Sequence, residues 1–205
     1  MGEPTIVVPA YNEADRIEEP LEVLVERYPV VVVDDGSTDD TAAVAENAGA
    51  TVIRQSENKG YIAALKRGFR EASSDIVVTF DADGEHRIED IQRLTRPISD
   101  GELDLVLGAR STIPRPSERF LNELTRLRVA VSDSGTGLRA LRRSLAVELK
   151  LDTACTCGTF VLEAATTGAR IGEIRIETQT IEKPRGVAWQ HGKQFFDVVR
   201  YLLVR

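Results

Sequence analysis

Five short apolar runs separated by amphipathic stretches of helical length fill the first half of the chain and leave few ways to fold it. Thr5 to Pro9, Val30 to Val33, Thr51 to Arg54, Ile76 to Phe80 and Leu103 to Ala109 are short and largely β-branched, as buried strands are. Between them, Glu13 to Tyr28 has helical spacing through Ile17, Leu21, Leu24 and Val25. Thr38 to Ala48, Tyr61 to Ala72 and Arg87 to Ile98 read as further helices, with Gly49 placed to stop the first of these three. Strand and helix in alternation imply right-handed crossovers, hence an α/β fold with a mainly parallel sheet flanked by helices. Ligands of such sheets bind beyond the carboxyl ends of the strands.

With 205 residues the chain suits a single domain. The 33 acidic against 26 basic residues give a formal charge of −7, which argues against a general nucleic-acid binder. Met1-Gly2-Glu3-Pro4 opens no signal peptide, so a cytoplasmic protein is expected. No Gly-X-Gly-X-X-Gly follows the first strand, which disfavours a dinucleotide oxidoreductase. Cys155 and Cys157 are one residue apart, unsuited to an ordinary structural disulfide and too few for a structural zinc site. Buried, inert thiols are the expectation for them.

Polar clusters follow three of the strands: Pro9-Ala10-Tyr11-Asn12-Glu13, Asp34-Asp35-Gly36-Ser37-Thr38-Asp39 and Asp81-Ala82-Asp83. All three should open on one edge of the sheet. Ser37 or Thr38 could cap the following helix, but capping does not account for so many carboxylates. Like charges this dense repel unless a cation sits among them, and Mg²⁺ commonly combines one or two carboxylates with substrate phosphates. Asp-X-Asp after a strand therefore suggests a metal–diphosphate site. Glu85 reads either as a further metal contact or as a solvent-facing helix start.

Together with Asn58-Lys59-Gly60, Ala64 and Gly68, these clusters resemble the ordered motifs of the inverting glycosyltransferases of family 2, which have the GT-A fold. Gly108-Ala109-Arg110 resembles the Gly-Ser-Arg of the polyprenyl-phosphate branch, which includes dolichyl-phosphate mannose synthase. Asp133-Ser134-Gly135-Thr136-Gly137-Leu138-Arg139-Ala140 resembles its acceptor motif, and Glu163 falls where the branch places a helical Glu. The resemblance implies a nucleotide-sugar-binding half over 1–110, an acceptor-binding half over 111–190 and an amphipathic carboxyl-terminal helix over 191–205.

It also implies roles. Pro9, Tyr11, Glu13, Asp35, Lys59, Asp81, Ala82 and Asp83 would bind the nucleoside diphosphate sugar, GDP- or UDP-linked. Asp81, Asp83 and Glu85 would hold Mg²⁺ or Mn²⁺. Arg110, Thr136, Arg139 and Glu163 would bind a polyprenyl phosphate, whose anionic oxygen needs no strong base. Asp83, Arg110, Asp133 and Arg185 would be the catalytic set, Arg185 lying on a loop that covers the diphosphate. The alternatives are transfer to a glycan hydroxyl with Asp133 as base, and a non-catalytic nucleotide-sugar-binding protein.

The sequence departs from the branch in four places: Glu85 precedes His86 where Gln is common, the stretch from Arg110 to Asp133 is short, Thr136 replaces Ser, and Gly186-Val187-Ala188-Trp189 replaces Gly-X-Ser-Lys. Ser117 to Val131 reads as the one helix of the shortened stretch. The apolar run from Gln194 to Val204 is too short to span a bilayer. It either packs on its own domain or contacts a membrane surface or partner.

Overall fold

The computed structural model describes residues 2–81, 83–113, 115–153, 155–178 and 187–203, with 187–193 traced by backbone only. Strands β1 (Thr5–Ala10), β2 (Val30–Asp34), β3 (Thr51–Arg54), β4 (Ile76–Thr79), β5 (Leu105–Arg110), β6 (Arg139–Arg142) and β7 (Ile171–Ile176) form one sheet. Their order across it is β3-β2-β1-β4-β6-β5-β7. Every pairing is parallel except those of β6, which runs antiparallel to both β4 and β5.

Side-chain alternation along the strands distributes the core to both faces. Ile6 and Val8 of β1, Val30 and Val32 of β2, and Ile76 and Val78 of β4 face a cluster completed by α1 (Glu18–Val25), α2 (Thr41–Asn47) and α4 (Glu89–Ser99). Val7, Val77, Leu105 and Leu107 point the other way, into α3 (Tyr61–Glu71), α6 (Arg143–Glu148) and α7 (Thr159–Thr166). The third helix can lie close to the sheet only because Gly68 has no side chain. A Cβ there would sit 2.2 Å from Val7 Cγ1.

Three helices are shorter than their sequence periodicity suggests, each for a local reason. Glu13 to Ile17 form a turn in which Glu13 O accepts from the amides of Arg16 and Ile17. The Glu13 and Ala14 amides donate across to Thr41 Oγ1 and Asp39 Oδ2, so α1 starts only at Glu18. Asp39 accepts the Thr41 amide and delays α2 to Thr41, a role that neither Ser37 nor Thr38 takes. In the shortened stretch, α5 covers Pro116–Arg126 rather than reaching Val131.

The last helix, α8 (Val187–Leu203), is longer than its apolar run and packs on α5 and α7. Gln194 and Val198 are buried, and Phe195 stacks on Phe120 with ring centroids 6.0 Å apart. Phe196 and Leu203 remain 72% and 78% exposed. Among the described residues no helix is long and apolar enough to cross a membrane.

Candidate active site

The ends of β1, β2, β4 and β5 all open on one edge, delivering Tyr11, Asp35, Asp81 and Arg110. The reversed direction of β6 brings its first residue, not its last, to that edge. Arg139 pairs in register with Thr79 of β4 and Leu107 of β5, and so enters the crevice from the far side.

On the side of β1 and β2, the first two loops are sewn together. Asn12, in the left-handed region at φ 54°, donates its amide to Ser37 Oγ at 3.0 Å and accepts from the Thr38 amide at 2.9 Å. Asn tolerates that conformation better than most residues. Asp34 accepts from the Ser37 amide, closing an Asx turn. Asp35, nearly fully buried, accepts from Gln55 Nε2 and from the amides of Lys59 and Gly60 at 2.7–2.8 Å. Its carboxylate thus shapes the third loop. Pro9 is buried within β1, Tyr11 is 44% exposed at the rim, and the Lys59 side chain is exposed.

Asp81 and Asp83 are half-buried. Asp81 Oδ1 accepts from the Tyr61 hydroxyl at 3.0 Å, and its carboxylate packs onto Gly137 so closely that a Cβ there would lie 1.8 Å from Oδ2. Burial and the charge of Asp81 push the Tyr61 hydroxyl well above its usual range. Asp83 Oδ1 accepts from the Glu85 amide at 3.0 Å. Across the crevice, burial raises the Glu13 carboxyl, Arg16 opposes the rise, and the charges of Asp83, Asp39 and Asp81 add to it. Four carboxylates from three separate loops therefore feel one another.

This repulsion has a measurable sign. A carboxylate whose folded pKa is raised costs stability once pH exceeds its unfolded value, and the cost disappears as pH falls below that value. Glu13→Gln is expected to raise the melting temperature of the metal-free protein at pH 7 and to lose that advantage below about pH 4.3, the unperturbed glutamate value. Thermal melts from pH 4 to 8 check it.

The side of the crevice near β5 and β6 is built around two arginines in different circumstances. Arg110 is buried among acids: Asp133 takes its Nε at 2.7 Å and Nη2 at 3.0 Å, Glu118 lies 3.1 Å from Nη2, and Glu85 lies 3.8 Å from Nη1. Burial works against its charge, but hydrogen bonds and charge from Asp133, with Glu118 and Glu85, raise its pKa above the ordinary arginine value. Asp133 also accepts the Arg110 amide at 3.1 Å. The 133–137 loop is further pinned by Ser134 to Asn122 Oδ1 and by Thr79 Oγ1 to Gly137 O.

Arg139 is fully buried but forms no ion pair among the described residues. Its guanidinium lies 4.7 Å from the Phe160 ring centroid and donates from Nη2 to Thr156 Oγ1 at 3.2 Å, leaving Nε and Nη1 without a hydrogen-bond partner. A buried cation with spare donors favours an anion beside it.

Residues 5–162 match the family model for "Glycosyl transferase family 2". The chain belongs to glycosyl transferase family 2. A relative from Methanococcus voltae named UDP-N-acetylglucosamine–dolichyl-phosphate N-acetylglucosaminyltransferase is 29% identical over 84% of each chain. An undecaprenyl-phosphate 4-deoxy-4-formamido-L-arabinose transferase of Klebsiella pneumoniae is 30% identical over 81% of this chain, which spans 56% of that protein. The fold is also that of glucosyl-3-phosphoglycerate synthase from Mycobacterium tuberculosis, crystallised with Mn²⁺, UDP-glucose and phosphoglyceric acid. That match has a TM-score of 0.81, 22% identity, and coverage of 99% of this chain and 81% of the other.

In this family 2 glycosyltransferase the structure gathers most of the expected site residues and redirects others. The Glu85 side chain is buried rather than solvent-facing, and its amide donates to Asp83 Oδ1. It is buried toward Arg110, and no set of three or more metal-ligating side chains forms among the described residues. Two carboxylates remain, a donor set that suits a hard cation sharing its other positions with diphosphate and water. Thr136 is buried, its hydroxyl accepting from the Leu138 amide. Glu163 brackets the Lys150 and Leu151 amides at 2.6 and 3.0 Å, a scaffold contact rather than a place in the crevice. Ala82 and Arg185 lie outside the described residues. Sequence reading missed Tyr61, Glu118, Thr156 and Phe160, because none sits in a strand-end cluster. The placement of Tyr61 directly after Gly60 at a helix start was the one available signal.

Proposed function

We propose that this chain transfers a sugar, with inversion, from a GDP- or UDP-linked donor to a polyprenyl phosphate in a Mg²⁺- or Mn²⁺-dependent reaction. The observation that carries the acceptor assignment is Arg139: a buried guanidinium that, among the described residues, has no carboxylate within ion-pair distance and leaves two nitrogens unused at the far side of the crevice. A phosphate monoester supplies the missing charge and acceptors. The two relatives whose names specify polyprenyl-phosphate acceptors support the same class.

The chemistry asks little of a base. An oxygen of the acceptor phosphate, already anionic, attacks the anomeric carbon from the face opposite the diphosphate. The bond from that carbon to the diphosphate oxygen breaks, and the nucleoside diphosphate leaves with the electron pair. Asp81 and Asp83 would hold the cation, which supplies positive charge for the departing diphosphate. Tyr61 and Gly137 fix the Asp81 carboxylate, and Asp35 fixes the loop beside the nucleotide. Engagement of both Asp133 oxygens by Arg110 weighs against Asp133 as the base that the hydroxyl-acceptor alternative requires. Phe196 and Leu203, exposed on α8, give the protein an apolar face suited to peripheral contact with the membrane that carries such an acceptor.

The test is a panel of radiolabelled GDP- and UDP-sugars offered with dolichyl or undecaprenyl phosphate, with Mg²⁺ or Mn²⁺. Label should move into the organic phase with one nucleotide class and require the divalent ion. Label that stays aqueous with every lipid phosphate, or moves only to a soluble phosphate-bearing acceptor, would sink the polyprenyl assignment.

A further inference from the structure

The thiols expected to be inert are neither deeply buried nor apart. Cys155 and Cys157 are both partly exposed, and their sulfurs lie 3.0 Å from each other. The residue between them, Thr156, is buried and is the one that accepts from Arg139 Nη2. The flanking carbonyls are fastened independently: Gln194 Nε2 of α8 donates to Cys155 O at 2.7 Å and to Cys157 O at 2.9 Å, and Thr159 Oγ1 also donates to Cys155 O. Next door, Gly135 of the acceptor loop places its Cβ direction 3.7 Å from Cys157 Sγ.

We propose that Cys155 and Cys157 form a reversible dithiol–disulfide site whose closure withdraws Thr156 from Arg139 and weakens binding of the acceptor phosphate. The argument is geometric. Bond formation draws the sulfurs from 3.0 Å to about 2.05 Å across a single intervening residue. With both flanking carbonyls held by Gln194, the adjustment falls on Thr156. Arg139 then loses the hydrogen bond from Nη2 to Thr156 Oγ1, while Nε and Nη1 already lack partners among the described residues.

The oxidant is a low-molecular-weight disulfide. Cys155 as thiolate attacks one of its sulfurs and expels one small thiol. Cys157 as thiolate then attacks Cys155 Sγ and expels the second, so the protein gives up two hydrogens while one external disulfide becomes two thiols. Cys155 suits the attacking role. The hydrogen bond to the Cys157 thiol lowers its pKa to about 7 against the effect of burial, with help from the Cys157 amide and the charge of Arg139. The same hydrogen bond, burial and the charge of Cys155 raise Cys157, giving an asymmetric pair. Thiolate is the reactive form, so reaction of Cys155 should accelerate as pH rises through about 7.

The second half of the proposal rests on the phosphate-binding reading of Arg139; the first half does not. The full chain is equilibrated in oxidised and reduced glutathione, quenched with a maleimide and weighed intact. The expected product is about 2 Da lighter than the reduced chain and carries no maleimide, whereas Cys155→Ser or Cys157→Ser gives a glutathione adduct instead. Two maleimide-reactive thiols after oxidation, or stable glutathione adducts on the native chain, overturn the pairing. Because this readout needs no acceptor, it survives failure of the polyprenyl-phosphate assignment.

For the coupling, the oxidised chain should show an acceptor KM raised about tenfold, the scale of one hydrogen bond to a charged group, with kcat and donor KM little changed. Dithiothreitol should reverse the shift, and a Cys155→Ser/Cys157→Ser chain should not respond to oxidant. Thr156→Val, which keeps the shape and removes the hydroxyl, should reproduce the raised acceptor KM without any oxidant. An oxidised chain with unchanged acceptor KM overturns the coupling.

Discussion

Asp83→Ala is expected to lower sugar transfer at saturating donor by about a thousandfold, the scale on which loss of charge stabilisation at a leaving group is felt. The fold should survive the change. Asp83 is half-buried and accepts the Glu85 amide, a turn hydrogen bond worth about 1 kcal/mol, so melting should fall by about 2–4 °C. The informative measurement pairs the two readouts: transfer titrated with Mn²⁺ and Mg²⁺, and stabilisation of the protein by Mn²⁺ with nucleoside diphosphate. The variant should lose both, and near-native transfer would remove Asp83 from the metal role.

Arg110→Ala is expected to have the largest effect on stability. Removing this guanidinium leaves Asp133, Glu118 and Glu85 buried without their common counter-charge, and breaking a buried ion pair from one side costs about 3–5 kcal/mol. For a chain of this size the melting temperature should drop by about 10 °C. Arg139→Ala should show the opposite division, since no carboxylate among the described residues pairs with Arg139. Its loss should appear mainly as weakened acceptor binding. Calorimetry of the two variants beside acceptor KM values separates a structural arginine from a ligand-facing one, and an Arg110→Ala chain that melts like the parent would discard the hub.

The two arginines also mark how far the sequence could be read. Strand and helix alternation over residues 5–110 was legible because β-branched runs and 3.6-residue spacing are local properties, and the strand-end rule then brought Glu13, Asp35, Asp81 and Asp83 to one edge. The glycine at 68 was visible as part of a motif, but its reason, the 2.2 Å approach of α3 to Val7, was not. Arg110 and Arg139 looked alike in sequence because each follows or begins an apolar stretch near glycine. Their difference lies in partners many residues away: Glu118 on α5 and Asp133 for the first, Phe160 on α7 and Thr156 for the second. The burial of Glu85 beside Arg110 and the contacts of Glu163 to the Lys150 and Leu151 amides were hidden for the same reason, since a buried carboxylate bound to Arg110 or to backbone amides has no signature distinct from an exposed one.

The reversed strand β6 carries a consequence for which lengths of chain this architecture tolerates. Because Arg139 reaches the crevice as the first residue of a strand paired on both sides, its position is set by ladder register, with Thr79 on one flank and Leu107 on the other. A slip of one residue would present Leu138 or Ala140 to the crevice and turn the arginine toward the opposite face of the sheet. The five residues from Asp133 to Gly137, anchored at one end by Arg110 and at the other by Thr79, therefore admit no insertion or deletion. Upstream of Asp133 the described residues from Ser111 onward join no strand pairing, so the register of Arg139 does not depend on the length of the excursion through α5 so long as Glu118 and Asn122 keep their contacts. Changes of length on this side of the crevice are thus expected to be tolerated only before Asp133, while Arg139 stays in place.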